Sequence, residues 1–316
     1  MSIGSELLVE SDATVESIEL LPDEVAARSP LQLFWRRFRS DRVAMGSAIF
    51  IILLILVAIF APLVVSALGL PGPNVQDTNA LDAFGSPTGP SSAHPFGVDQ
   101  LGRDVLSRVI YGARVSLTVG IVGTALAAFV GTVVGLLAGF YRGATDTVLM
   151  RGVDVFLSFP VLVLGLGIGA ACGVRGCLSG LIQPGIVTVI FIIALLSFTY
   201  IARIVRGQVL SLREKEFVDA SRALGASNRR IVFKEILPNL VAPLIVYSSL
   251  LIPTNILLEA ALSFLGVGIR PPTASWGQMI ADATPIFNTA WWDMVFPGAA
   301  LLLTVLAFNL VGDGLL

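Results

Sequence analysis

The chain has 316 residues, 55 % of them hydrophobic and 13 % charged, with a mean hydropathy of +0.86. Soluble domains carry about 25 % charged residues, so a water-soluble globular fold is excluded, and no nucleic-acid partner is expected. The formal net charge of −2 conceals an asymmetry, because residues 1–27 contain seven acids and no Lys or Arg, which leaves the remainder basic.

Residues 1–28 are dense in acids, poor in aromatics and without a period, and are read as a disordered cytoplasmic tail. An acidic start is unlike the basic opening of a cleaved signal peptide. Ser29 and Pro30 suit an N-cap and first helical position. Leu31, Phe34, Trp35 and Phe38 follow at helical spacing, opposed by Arg36, Arg37 and Arg39, so residues 29–42 are read as an amphipathic helix lying on membrane lipid.

Six charge-free runs come next: Val43–Gln76, Val115–Tyr141, Val155–Val174, Gly176–Ala202, Ile236–Leu258 and Met294–Gly312, of 34, 27, 20, 27, 23 and 19 residues. About 20 residues of helix cross a hydrocarbon core about 30 Å thick. The expected fold is therefore an all-α integral membrane protein of six transmembrane helices, over 43–67 and about 115–140, 154–174, 181–203, 239–265 and 293–314. If the N-terminus is cytoplasmic, the inner segments hold 15 of the 20 Lys and Arg residues, so the positive-inside rule places both termini in the cytoplasm. The outer segment 68–112 is Pro, Gly and Ser rich up to Asp99. It then reads as helical, with Val105, Leu106, Val109 and Ile110 on one face, as a cap on the outer mouth of a core bundle over 113–316.

Cys172 and Cys177 frame a short outer loop. Either a disulfide closes it in an oxidising compartment or both thiols pack as small hydrophobes. His94 is the single histidine, too little for a His-based metal site or a Ser–His pair. Neither Lys215 nor Lys234 follows a glycine loop, so no phosphate cradle of the G-x-x-x-x-G-K-[ST] kind exists. Neither catalytic residues nor cofactor or metal ligands are expected on this chain. Glu259 stands among aliphatic residues, where a charge costs about 2.5–3.5 kcal/mol on insertion scales. It either lines a gate, with Pro253 and Asn255 as companions, or is hydrogen-bonded to a neighbouring helix near the outer end of its own. Gly131, Gly135 and Gly139 recur every fourth residue, with Ala127 on the same face, a ridge that lets backbones touch a neighbour the sequence does not name. Pro243 and Pro253 are expected to bend the fifth span.

The inner loop 206–238 carries most information. Glu216 to Gly225 reads as one helix with Phe217, Ala220 and Leu224 along an apolar face and Gly225 as its C-terminal cap. Ser227 suits the N-cap of a second short helix through Ile231, Val232 and Ile236, ended by Pro238. The pair forms a knob beneath the membrane.

Asp219-Ala220-Ser221, three residues, Gly225 and then Leu237-Pro238 resembles the E-A-A…G…I-x-L-P loop of bacterial ABC importer permeases. Asp replaces the usual Glu, Ser replaces the second Ala, and Glu235 occupies the usual Ile position. The run from His94 to Arg108 (HPFGVDQLGRDVLSR), Leu258–Gly266 (LEAALSFLG), Pro271-Pro272 and Trp276-Gly277 resemble the C-type permease of dipeptide, oligopeptide and nickel importers, and the similarity covers about Leu31 to the end. That resemblance implies a type I ABC importer permease fold in the bacterial inner membrane and half of a translocation pathway. It also implies a B-type permease as heterodimer partner, two ATPase subunits that hold ATP and Mg, and an extracytoplasmic substrate-binding protein. Glu216, Asp219, Ala220, Ser221, Arg222, Leu224, Gly225, Leu237 and Pro238 would then couple the chain to the ATPase. A peptide is the expected cargo; nickel or another small solute, and an ATP-independent transporter or channel, are the alternatives. The family's usual C-terminus runs a few residues beyond Leu316, so the chain is expected to be trimmed or naturally short.

Overall fold

The computed structural model describes residues 41–173, 176–177, 180 and 182–314. The tail expected over 1–28, and all but the last two residues of the interfacial helix expected over 29–42, lie outside them. The described residues are mostly helical and include five helices long and apolar enough to cross a membrane, with a sixth span if one bent pair is counted as one.

Helix α1 (Arg42–Ile59) starts where the Asp41 carboxylate accepts from the backbone amides of Val43 and Ala44 at 2.8 and 3.1 Å, satisfying two donors that helix geometry leaves free. It gives way at Phe60 to α2 (Ala61–Ala67), which has Pro62 in its first turn. The first span is thus split where a single helix over 43–67 was expected. The outer segment then runs through a 3-10 turn at Thr78–Ala80 and isolated antiparallel bridges, Gln76 with Arg103 and Val98 with Asp104.

Helix α3 (Val105–Tyr141) has 37 residues, with Asp104 as N-cap accepting from the Ser107 amide at 2.7 Å. At 1.5 Å per residue it is about 55 Å long, so the outer helical stretch at Val105 and the second span are one rod. The third span differs from expectation. Helices α4 (Gly143–Ser158) and α5 (Val161–Gly173) meet at 88°, where a straight helix over about 154–174 was read. Pro160 supplies the reason, since it disfavours helical backbone at Phe159 and lacks an N–H. Cys172 and Cys177 are joined in a disulfide with Cα atoms 5.0 Å apart.

Helix α6 (Ile186–Leu212) continues past the expected end near residue 203 because its cytoplasmic turns carry charges that pair outside the apolar core. Arg206 forms a two-pronged contact with Asp146 at 2.5 and 2.6 Å, and Arg203 reaches Asp154 at 2.6 Å, both on α4. Helix α7 (Glu216–Ala223) follows. A turn at Asn228–Arg230 and a π-helical stretch at Ile231–Ile236 lead without a break into α8 (Leu237–Phe264). Pro238 therefore does not end the second short helix as expected. It falls in the first turn of α8, and the side-chain amide of Asn239 donates to the Glu235 carbonyl at 2.6 Å. The short helix α9 (Trp276–Ala283), a 3-10 turn at Thr284–Ile286 and α10 (Trp291–Gly314) complete the described fold.

The glycine ridge finds its partner within the chain. A Cβ added at Gly131 would lie 2.7 Å from the Phe198 carbonyl oxygen, and one at Gly135 2.6 Å from that of Ala202. Helices α3 and α6 thus touch backbone to backbone, as small residues permit in a bundle without a hydrophobic driving force between helices.

Candidate coupling surface and translocation groove

Helix α7 is held by one residue. Val218 is fully buried with Val209, Ile231, Ile236 and Leu240, a cluster that ties the knob to the inner ends of α3, α6 and α8. The expected apolar face points the other way: Phe217 is 39 % exposed and Leu224 89 % exposed, and Ala220 is exposed as well. Helical spacing identifies an apolar stripe but cannot say whether it turns toward the bundle or away from it.

Gly225 has φ of +79°, a left-handed conformation that a side chain strains. Its amide donates to the Arg222 carbonyl at 2.9 Å, and the Ala226 amide donates to that of Ser221 at 3.0 Å, closing the helix with a left-handed cap. Ser227 then accepts from the Arg230 amide at 3.4 Å. Asp219 and Arg222 pair at 3.1 Å on the surface, where such a bridge contributes little. Glu216 and Ser221 lie on the same helix. Leu237 and Pro238 belong to the helical rod behind it, so the expected coupling residues divide between a displayed helix and its support.

Behind α7, Arg213 donates to the Phe140 carbonyl at 2.5 Å, and Arg142 pairs with Glu214 at 2.6 Å. Desolvation, with Arg142 and Arg222 nearby, lowers the Arg213 pKa from its ordinary value. The inner basic residues thus serve as ties between helices as well as orientation signals.

Deeper in the bundle, α5, α6 and α8 enclose a groove of about 490 Å³. Its walls are aliphatic except for Ser197, Tyr200, Thr254 and Asn255. Asn255 accepts from the Ser197 hydroxyl at 2.7 Å and donates to Thr124 at 2.8 Å, so its amide is fixed as part of the floor. Of the three intramembrane candidates, Asn255 lines this groove, whereas Pro253 and Glu259 do not. Glu259 is fully buried between α8 and α3, its oxygens accepting from Ser116 at 2.9 Å and Ser263 at 2.8 Å. Ser263 also accepts from the Ile269 amide at 3.0 Å, which ties the chain beyond α8 into the same network. The carboxylate works here as a hub between α3, α8 and the chain that follows α8.

Another outer network escaped the sequence reading. His94 and Asp104 are 2.9 Å apart, Arg103 reaches Asp99 at 2.6 Å, and Arg108 lies 3.5 Å from the same Asp99 carboxylate. All five side chains are buried, and Arg108 also donates to the Pro73 carbonyl at 3.0 Å. Their alternating signs between residues 94 and 108 were the available signal. Tyr200 and Thr254 were also missed, because an apolar run was scanned for charges and not for hydroxyls.

Residues 131–316 match the family described as binding-protein-dependent transport system inner membrane component. The chain belongs to that family. Residues 29–83 also match the N-terminal transmembrane domain of oligopeptide transport permease C. The chain is 42 % identical over 294 residues to the glutathione transport system permease protein GsiD of Escherichia coli O157:H7, covering 93 % of this chain and 90 % of the relative. The same values hold for GsiD of Shigella boydii serotype 4 (strain Sb227). Among solved structures, an inward-facing form of the MetNI methionine ABC transporter aligns with a TM-score of 0.55 at 21 % identity, over 66 % of this chain and 94 % of that one. A second crystal form aligns at 0.54 over 65 % and 93 %. The fold is that of a type I ABC importer permease, and the chain is a multi-pass inner-membrane transport component that works with a binding protein.

Proposed function

We propose that the chain forms half of the pathway of an ATP-driven importer of short peptides and is moved by ATPase subunits that grip α7. One observation carries the coupling part of this reading. Phe217, Ala220 and Leu224 form an apolar face exposed at the cytoplasmic end while Val218 anchors the helix from behind. An apolar face with a fixed root suits a groove on another subunit, and it can pass a tilt to α8 through the continuous Asn228–Phe264 rod. The peptide assignment is supported by the relatives named for glutathione transport and by the match to the oligopeptide permease N-terminal domain. A B-type permease would supply the other half of the pathway. ATP and Mg would be held by the ATPase partners and not by this chain.

The test is affinity purification of the tagged chain from its native membrane as wild type, Leu224→Asp and Gly225→Pro, with ATPase activity assayed in each eluate. ATPase in the wild-type eluate, lost from both variants while they still insert, supports the coupling surface. Equal ATPase in all three eluates refutes it. A wild-type importer that takes up nickel chelates and no peptide refutes the cargo assignment alone.

A further inference from the structure

We propose that Tyr200 and Thr254 are the groups through which this chain touches the main chain of a peptide passing through the groove between α5, α6 and α8, an inference that rests on the importer reading above. Tyr200 lies 14 residues past Ile186 on α6, about 21 Å along the helix. Thr254 lies 17 residues past Leu237 on the oppositely directed α8, about 26 Å along it. The two meet in the same groove of about 490 Å³, with Tyr200 about one helical turn on the membrane side of Arg203.

Both side chains are open to the groove. Tyr200 is 49 % exposed, and its hydroxyl is without a partner among the described residues. Thr254 is exposed, with only a long 3.4 Å contact to the Leu250 carbonyl. Hydrocarbon offers an exposed hydroxyl no partner, so polar groups within a span belong to protein interiors or to water-filled cavities. The amide of Asn255 cannot take the contact role, because Ser197 and Thr124 already hold both its ends. Among the described groove residues, the Tyr200 hydroxyl and the weakly held Thr254 hydroxyl are left to bond a ligand.

The ligand class follows from what the groove lacks. No Asp, Glu, Lys, Arg or His is among the residues that line it, so it offers no countercharge to a terminal carboxylate or ammonium and leaves both ends of a zwitterion to water. A hydroxyl donates and accepts. A pair of them can therefore meet the C=O and N–H that recur along any peptide, whatever its side chains. The aliphatic walls around them do not discriminate by side-chain polarity through hydrogen bonding. This is a contact blind to sequence, suited to a pathway whose selectivity is set elsewhere.

The test uses the complete importer in proteoliposomes, with its binding protein outside and ATP inside. Uptake of trialanine is compared with uptake of its analogue N-methylated at the central amide, for wild type, Tyr200→Phe, Thr254→Val and the double variant. Binding-protein-stimulated ATP hydrolysis is followed in parallel, so that assembly and coupling are read separately. We expect about threefold to tenfold slower trialanine uptake per lost hydroxyl, retained ATP hydrolysis, and a smaller preference for trialanine over its analogue in the double variant. An unchanged rate and preference in the double variant overturns the inference while leaving the importer reading intact. Wild type that hydrolyses ATP and imports no peptide overturns both. A single cysteine at Tyr200→Cys, labelled by a membrane-impermeant thiol reagent, supports the water-facing placement. Labelling by a lipid-soluble reagent alone overturns it.

Discussion

Replacing Gly135 by alanine tests whether α3 and α6 are joined by backbone contact. The added Cβ would stand 2.6 Å from the Ala202 carbonyl oxygen and 2.7 Å from the Val205 Cβ. Neither neighbour can swing aside, since one is backbone and the other a β-branched root, so the helices must separate along the ridge. Overpacking of this kind costs about 1–3 kcal/mol, against a helix-propensity gain of at most about 1 kcal/mol for replacing glycine. Gly207 on α6 supplies the control, because a Cβ there meets nothing within 4 Å. Both are glycine-to-alanine changes within helices, so the propensity gain cancels in their difference and the contact term of about 1–3 kcal/mol remains. In detergent, where 1 kcal/mol moves the midpoint of a large domain by about 2–4 °C, Gly135→Ala should melt about 2–12 °C below Gly207→Ala, read by size-exclusion fluorescence after heating. Adding Gly131→Ala and Gly139→Ala should cost less than the sum of the singles, since the first substitution already parts the helices. Equal melting of Gly135→Ala and Gly207→Ala refutes the backbone-contact account.

Val218→Asp should lower the melting midpoint, because it buries a charge in the cluster that roots α7, whereas Leu224→Asp, at a site 89 % exposed, should leave the midpoint unchanged; the reverse order in the same melting assay would show the helix rolled over. Removing the Cys172–Cys177 link with Cys172→Ala plus Cys177→Ala should cost about 2 kcal/mol by loop-closure entropy for so short a ring, and a reductant should lower the wild-type midpoint while leaving the double variant unmoved. Glu259→Ala should cost about 1–3 kcal/mol for each serine hydroxyl left without its acceptor, with Glu259→Gln recovering part of the loss; if both variants melt like wild type, the carboxylate is no hub.

Much of this protein is written along the chain because a bilayer imposes a one-dimensional test. Length without charge identifies a span, and the excess of Arg and Lys on one side orients it, so class, span number and family were legible before any contact was known. The glycine cap at Gly225 was equally legible, since the left-handed backbone it adopts favours glycine locally. Charge counting failed where geometry and not solvation decides. It read Val155–Val174 straight across Pro160, though the break there sets two helices at 88°, and it stopped α6 at its first arginine, though Arg203 and Arg206 are held by carboxylates of α4.

The sequence by itself determined that this is a six-span permease with a structured inner knob, because hydropathy, charge asymmetry and local motifs are properties of neighbours along the chain. Only the tertiary structure decided which face of α7 is displayed, which helix the Gly131–Gly139 ridge meets, and that Asn255 lines a groove while Glu259 is sealed between helices. These depend on the rotation of each rod about its own axis. A helix with polar or small residues on several faces leaves that rotation open until its neighbours pack against it.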